Sequence, residues 1–359
     1  MSEDLRRTPL YDAHVAANAR MVPFAGWEMP VQYSGVVAEV KATREGVGLF
    51  DVSHMGRAYV VGADAAAFFD HVTVNDVSKL GDSQGQYSLL CNEAGGIIDD
   101  IIVYRIKDTE FLVIFNAGNR DKDLAWFRSQ IEEFDATLTD RSDETCLLAV
   151  QGPKAIELLG ESVAALARFS LGETTLFGIP VTACRTGYTG EDGAELICAA
   201  EDAPKLWDAL VGAGAVLCGL GARDALRVEA CLPLYGHEMD DSVNPYAARL
   251  GWVTKLDKGA DFLGKPALVA LKASEPNRLV GVTLEGRGIP REEYLVYAPD
   301  AAEPCGKITS GTFSPTLQKG VAMARVPAAL AKTGTPLQVE IRGQRHAAVV
   351  TAMPFYKNV

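Results

Sequence analysis

Residues Gln86–Asn116 read QYSLLCNEAGGIIDDIIVYRIKDTEFLVIFN, and the way this stretch divides decides the fold. Three β-rich runs, Gln86–Leu90, Ile97–Ile106 and Phe111–Asn116, are separated by Glu93-Ala94-Gly95-Gly96 and by Lys107-Asp108-Thr109-Glu110. Apolar, β-branched runs punctuated by glycine and polar turn residues predict an antiparallel meander. Its middle run is interrupted by two adjacent acids, Asp99 and Asp100, although Asp is depleted in strands. Side chains alternate between faces along a strand. One carboxylate therefore shares a face with Ile97, Ile101 and Val103 and the other with Ile98 and Ile102, so at least one must leave bulk water. Such a group either finds hydrogen-bond donors or has its pKa raised, and both outcomes suit a carboxyl that attracts a proton or a cationic centre. The competing reading is a turn-proximal acid that simply ends a strand.

Upstream, Tyr11–Ala19 and Ser34–Arg44 read as helices. Between them, Pro23-Phe24-Ala25-Gly26-Trp27-Glu28-Met29-Pro30-Val31-Gln32-Tyr33 carries two prolines and a Gly-Trp pair, which predicts an irregular segment laying its aromatics across another part of the fold. Val47–Arg57 is strand-like and holds Asp51, Ser53 and His54. Residues so close on one strand do not form a nucleophile, base and orienter chain, and no G-x-S-x-G elbow is present, so the cluster reads as local hydrogen bonding.

Downstream, Asp64–His71 reads as a helix, and Asn119 as the N-cap of another running to about Glu133 with Leu124, Phe127 and Ile131 inward. A buried strand is expected over Cys146–Gln151, helices over Ala155–Leu159 and Val163–Phe169, and a strand over Gly178–Arg185. That strand runs into Thr186-Gly187-Tyr188-Thr189-Gly190-Glu191-Asp192-Gly193-Ala194-Glu195-Leu196. The loop is no phosphate cradle: it lacks G-K-[ST] and G-x-G-x-x-G, and its acids would repel a phosphate. Offering Tyr188 and Glu195, it suits a neutral, planar, donor-rich ligand. An amphipathic helix follows over Asp202–Val211, then Arg223-Asp224 at a helix start. From about Arg278 short β runs alternate with turns, which predicts an all-β module and a boundary near Asn277.

With 359 residues the chain has room for two or three units with cores of their own. A net charge of −13 and a pI near 4.9 argue against binding nucleic acid or anionic membrane through the bulk field. The seven cysteines include no C-x-x-C pair, and the five histidines show no metal-ligand spacing, so reduced thiols and no metal are expected. No apolar run reaches the roughly 20 residues of a spanning helix. The expectation is a soluble, cytoplasmic protein.

Six motifs occur together in order: Pro23–Pro30 (PFAGWEMP), Phe50–Met55 (FDVSHM), Gly95–Asp100 (GGIIDD), Thr186–Glu191 (TGYTGE), Gly221–Asp224 (GARD) and Thr309–Pro315 (TSGTFSP). Over essentially its whole length the chain resembles the aminomethyltransferase, or T protein, family of the glycine cleavage system. The resemblance implies an α+β fold in a cloverleaf arrangement. Antiparallel sheets with flanking helices form a folate-binding region (1–277, the meander in a subdomain of about 52–136), and a C-terminal β-barrel follows (278–359). It implies tetrahydrofolate in a central channel, lipoylated H protein as partner, and neither metal nor flavin. The reaction implied releases ammonia from an aminomethyl group on the lipoyl arm and forms 5,10-methylenetetrahydrofolate. Carried over by motif, the catalytic carboxylate is Asp99, the pterin-binding acid Glu195 and the arginine of A-R-D Arg223. Tyr87, Asn116, Tyr188, Met55, Trp252 and Arg291 match further pocket positions. The residue chemistry is compatible: one carboxylate can accept from both the amide-like N–H and the exocyclic amine of a pterin. Folate-dependent demethylases of small N-methyl or S-methyl donors share the fold resemblance and are the enzymatic alternative, and a non-catalytic folate-binding module is the other. A branch linked to iron–sulfur cluster maturation carries a K-G-C-Y-x-G-Q-type motif, which Cys231–Glu238 (CLPLYGHE) lacks.

Overall fold

A computed structural model describes residues 5–357. In it Gln84–Cys91, Ile97–Lys107 and Glu110–Phe115 pair antiparallel in that order, with Tyr87 opposite Ile102 and Ile102 opposite Ile114. Gly56–Val61 and Thr137–Asp140 extend this meander to five strands. One face is covered by the helices Ala65–Val72 and Arg120–Ile131, and Phe68, Phe69, Ile101, Val103, Phe111, Phe115 and Phe127 fill the space between. The opposite face carries Tyr104, Leu112 and Ile114. They pack with Phe50, Leu147 and Ile197 of a second sheet and Leu226 of the helix Leu220–Glu229.

That second sheet has six strands, in the spatial order Leu171–Leu176, Ile179–Cys184, Gly193–Ala199, Thr145–Gln151, Gly48–Asp51 and Val216–Leu217. A closed six-stranded barrel follows, built from Asn277–Leu284, Lys319–Pro327, Gly306–Ser314, Leu295–Tyr297, Pro336–Ile341 and Gln344–Thr351. The helix Leu220–Glu229 joins barrel to sheets through buried charge. Arg44 sits between Glu191 and Glu229, 2.7 Å from each, while Glu229 accepts hydrogen bonds from Ser314 and Thr316 of the barrel. Arg227 spans Glu238 and Ser310 in the same way, at 2.9 and 2.7 Å. No described helix is long and apolar enough to cross a membrane.

Three local expectations fail for identifiable reasons. Pro23–Tyr33 is not irregular: Arg20–Phe24 and Trp27–Gln32 form a hairpin. Ala25 and Gly26 supply its two-residue turn with positive φ (49° and 81°), and an isolated two-stranded ribbon has outer edges where proline's missing N–H costs nothing. Val47–Arg57 is two strands in different sheets, Gly48–Asp51 and Gly56–Val61, so the run of apolar residues hides a crossing between layers. In Val163–Phe169 the helix is confined to Glu161–Ala164.

Candidate active site

The two acids of the meander point to opposite sides of their strand. Asp99 is fully buried on the helical side, its Oδ2 accepting the Asn116 backbone N–H (3.0 Å) and its Oδ1 the Nδ2 groups of Asn116 (2.9 Å) and Asn119 (2.6 Å). Asp100 lies on the side facing the second sheet and lines a cavity of about 840 Å³. Tyr87 Oη donates to its Oδ2 at 3.0 Å and Asn116 Nδ2 to its Oδ1 at 2.6 Å. Burial, reinforced by the charge of Asp99 and opposed by these donors, pushes the Asp100 pKa up to about 7. The motif-based choice of Asp99 as the carboxylate presented to a ligand is thus corrected. The alternation of the strand leaves Asp99 behind the wall and brings Asp100 to the cavity.

Glu195 reaches the same cavity from the strand Gly193–Ala199, opposite Ala149 and Cys184 of its neighbours. Its Oε2 accepts from Thr186 Oγ1 at 2.5 Å, and Thr186 is in turn 2.7 Å from the buried Tyr104 hydroxyl. No described residue donates to Oε1. The loop before this strand needs glycine at 187, where a Cβ would lie 1.9 Å from Gln151 Oε1. Arg223 lies 4.7 Å over the Tyr188 ring and donates to Met55 Sδ at 3.8 Å, with the charge of Glu195 nearby but no carboxylate among the described residues in hydrogen-bond contact. Tyr188 in turn donates to Pro233 O. Trp252, 64 % exposed, stacks on Tyr87 with ring centroids 6.2 Å apart.

The cavity therefore unites Tyr87, Asn116, Tyr188, Glu195, Arg223, Met55 and Trp252. Arg291 is exposed and is not among the lining residues, although the neighbouring Glu292 lies 3.2 Å from His237 of the cavity wall. Three further lining groups were not expected at the site: Asn119 and His54 read as a helix cap and as local hydrogen bonding, and Arg249 was not singled out. Asn119 makes no side-chain cap bond; its side chain is turned toward Asp99, to which Nδ2 donates. His54 lines the wall, fully enough buried that its pKa falls to about 4 and the ring is neutral. Arg249 has Met353 Sδ as its hydrogen-bond partner and stands exposed beside Trp252. A second concavity of about 730 Å³, near Arg6, Arg7 and Arg120, offers no comparable chemistry. Its cations are all paired, with Asp121, Glu28 and the Asp140/Asp143 pair respectively.

Comparison with known proteins agrees with this architecture. Residues 10–258 match the GCVT N-terminal domain model and residues 277–357 the glycine cleavage T-protein C-terminal barrel domain model. The chain is similar to an aminomethyltransferase of Symbiobacterium thermophilum, at 48% identity over 100% of this chain and 99% of the relative. A Herpetosiphon aurantiacus aminomethyltransferase is 48% identical over 98% and 99% of the two chains. The crystal structure of the glycine cleavage system aminomethyltransferase T from Bartonella henselae superposes with a TM-score of 0.93 at 34% identity, covering 99% of each chain.

The chain belongs to the glycine cleavage T-protein family. As an aminomethyltransferase of that family it is a tetrahydrofolate-dependent transferase.

Proposed function

We propose that the cavity binds tetrahydrofolate with the pterin's amide-like N–H and exocyclic amine against Glu195 and N5 directed to Asp100. The aminomethyl carbon arrives at the Asp100 end on the lipoyl arm of the H protein. The observation that carries this reading is the pair of carboxylates on one cavity: Glu195 with an oxygen to which no described residue donates, and Asp100 braced by Tyr87 and Asn116. A volume of about 840 Å³ suits a ligand of this size.

Bound tetrahydrofolate would supply N5 and N10, which bond the carbon and give up one proton each, while the carbon's bonds to nitrogen and sulfur break and ammonia and the lipoyl thiol take up those two protons. The protein's share is positioning and proton traffic. Ionised Asp100 orients N5 and stabilises positive charge developing there, and with a pKa near 7 it can accept the proton that N5 loses and return it to solvent or to the leaving groups. Tyr87 and Asn116 hold that carboxylate in place. Arg223 and Arg249 provide positive charge for the anionic glutamyl tail. Tyr188, Met55 and Trp252 supply apolar walls. We read the chain as two units, 1–277 and 278–359. In support, all six barrel strands begin at or after Asn277, while Leu279, Met353 and Pro354 extend the barrel side of the cavity.

The test is formation of methylenetetrahydrofolate from aminomethylated H protein, with sarcosine, dimethylglycine and dimethylsulfoniopropionate offered as competing donors. Turnover with the H protein alone is expected. Preferred use of any small methyl donor would replace this reading with the demethylase alternative.

A further inference from the structure

Behind the wall that carries Asp100 lies a second acid that the reaction as described does not use. Asp123 stands one helical turn beyond Asn119 on the helix Arg120–Ile131, so both side chains leave the same face and meet Asp99. It is fully buried, and neither of its carboxyl oxygens receives a hydrogen bond from a described residue. An ionised carboxylate without donors cannot persist in such a place. Its neighbour Asp99 has the reverse surroundings, with three N–H donors converging on it. Asn116 Nδ2 then touches both Asp99 Oδ1 and Asp100 Oδ1, at 2.9 and 2.6 Å, and so ties the buried pair to the cavity.

We propose that Asp99 and Asp123 hold one proton between them, and that the single negative charge they retain adds to burial in keeping Asp100, on the other side of the strand, protonated toward neutrality. Asp123 donates its proton to Asp99, which satisfies an oxygen that no other described group reaches. Burial first, and then the charge of Asp99, push the Asp123 pKa up to about 11, in agreement with that assignment. The other groups facing this cluster are few. Lys122 directs Nζ at Ile98 O (2.7 Å) and the Tyr235 hydroxyl (2.9 Å), and Tyr87 and Tyr188 stand on the cavity side of Asp100. Lys122, itself 3.9 Å from Asp241, is the cation that opposes the charge at Asp123. Asp99 and Asp123 touch no substrate and are positioning residues. Their part in turnover rests on the role proposed above for Asp100, but their effect on Asp100 does not.

The experiment uses the full-length protein without substrate. Carboxyl-carbon NMR follows the aspartates through a pH titration, and infrared spectroscopy detects protonated carboxyls, in the wild type and in Asp100→Asn, Asp99→Asn and Asp123→Asn. The wild type should show a carboxyl titrating near neutrality that is absent from Asp100→Asn. In Asp99→Asn the midpoint should fall by about one pH unit or more, the size of a neighbouring-charge effect. In Asp123→Asn an amide donor replaces the acid and Asp99 keeps its charge, so the midpoint should stay where it is. The protonated-carboxyl band that persists into alkaline solution should vanish in that variant. An unmoved midpoint in Asp99→Asn overturns the proposal, as does an alkaline band that survives Asp123→Asn. Should Asp99→Asn not fold, the infrared result on Asp123→Asn decides alone. A near-neutral Asp100 midpoint combined with normal turnover of Asp100→Asn would overturn only the catalytic reading.

Discussion

Glu195 and Asp100 face one cavity from two sheets, and their charged neighbours differ in sign. Glu195 has the Arg223 guanidinium near it and gives one oxygen to Thr186. Asp100 has the carboxylate Asp99 behind it and neutral donors, Tyr87 and Asn116, in front. A neighbouring anion such as Asp99 favours the protonated form of Asp100. The first environment suits gripping a donor-rich edge, the second exchanging a proton. The sharpest way to break this division is Asp100→Asn. Turnover should fall about 10²–10⁴-fold, the usual size of a lost acid–base group, while folate affinity stays within a few-fold. Steady-state methylenetetrahydrofolate formation and a folate titration check it, and near-normal turnover would return Asp100 to a structural role.

The same acid predicts two pH effects of opposite sense. If the ionised form is the working one, turnover declines as pH drops through about 7, and the residual rate of Asp100→Asn lacks that limb. Stability runs the other way. The folded state holds this proton up to about 7, whereas an unfolded chain releases it near 3.8, so the group's contribution to stability is fully present below 3.8 and is lost as pH rises through 7. Above neutrality Asp100→Asn should therefore melt at a higher temperature than the wild type, which calorimetry at pH 6 and pH 8 would show or refute.

At the other end, Glu195→Gln keeps the shape and removes the charge. Hydrogen bonds to a charged group contribute about 1.5–3 kcal/mol, so folate should bind about 10–100-fold more weakly, with turnover at saturation little changed. A fall in turnover without a fall in affinity would erase the contrast between the two ends.

Much of this arrangement was legible in the sequence where the signal was local. The meander, its glycine-marked turns and the opposed faces of Asp99 and Asp100 follow from a period of two. Which face was the cavity did not follow, because it depends on the helices Ala65–Val72 and Arg120–Ile131 covering one side, and that packing is not local. Asn119 shows a different limit. The property that makes Asn a good N-cap, a short side chain rich in hydrogen bonds, is the one that lets it reach across to Asp99, and only the tertiary partner decides between the two uses. Prolines at 23 and 30 hid a hairpin because their rule is written for central strands, and this ribbon has none. Arg291 matched a motif position, yet a residue in an exposed barrel loop is placed by the loop's path, which short motifs do not encode.

The smallest effect concerns how Glu195 is aimed. Thr186 donates to Glu195 Oε2 and so accepts from the Tyr104 hydroxyl, which is completely buried. Thr186→Val preserves shape and breaks both bonds. Losing one hydrogen bond on the carboxylate should weaken folate binding by about 1 kcal/mol, roughly fivefold. The Tyr104 hydroxyl, left with only the weak acceptor Cys184, should lower stability by a further ~1 kcal/mol. Adding Tyr104→Phe removes that hydroxyl, so the double variant should regain stability without regaining affinity. If both return together, Thr186 holds the core and leaves Glu195 alone; if affinity stays low while the melting temperature recovers, the hydroxyl's work is to point one oxygen of Glu195 away and leave the other for the ligand.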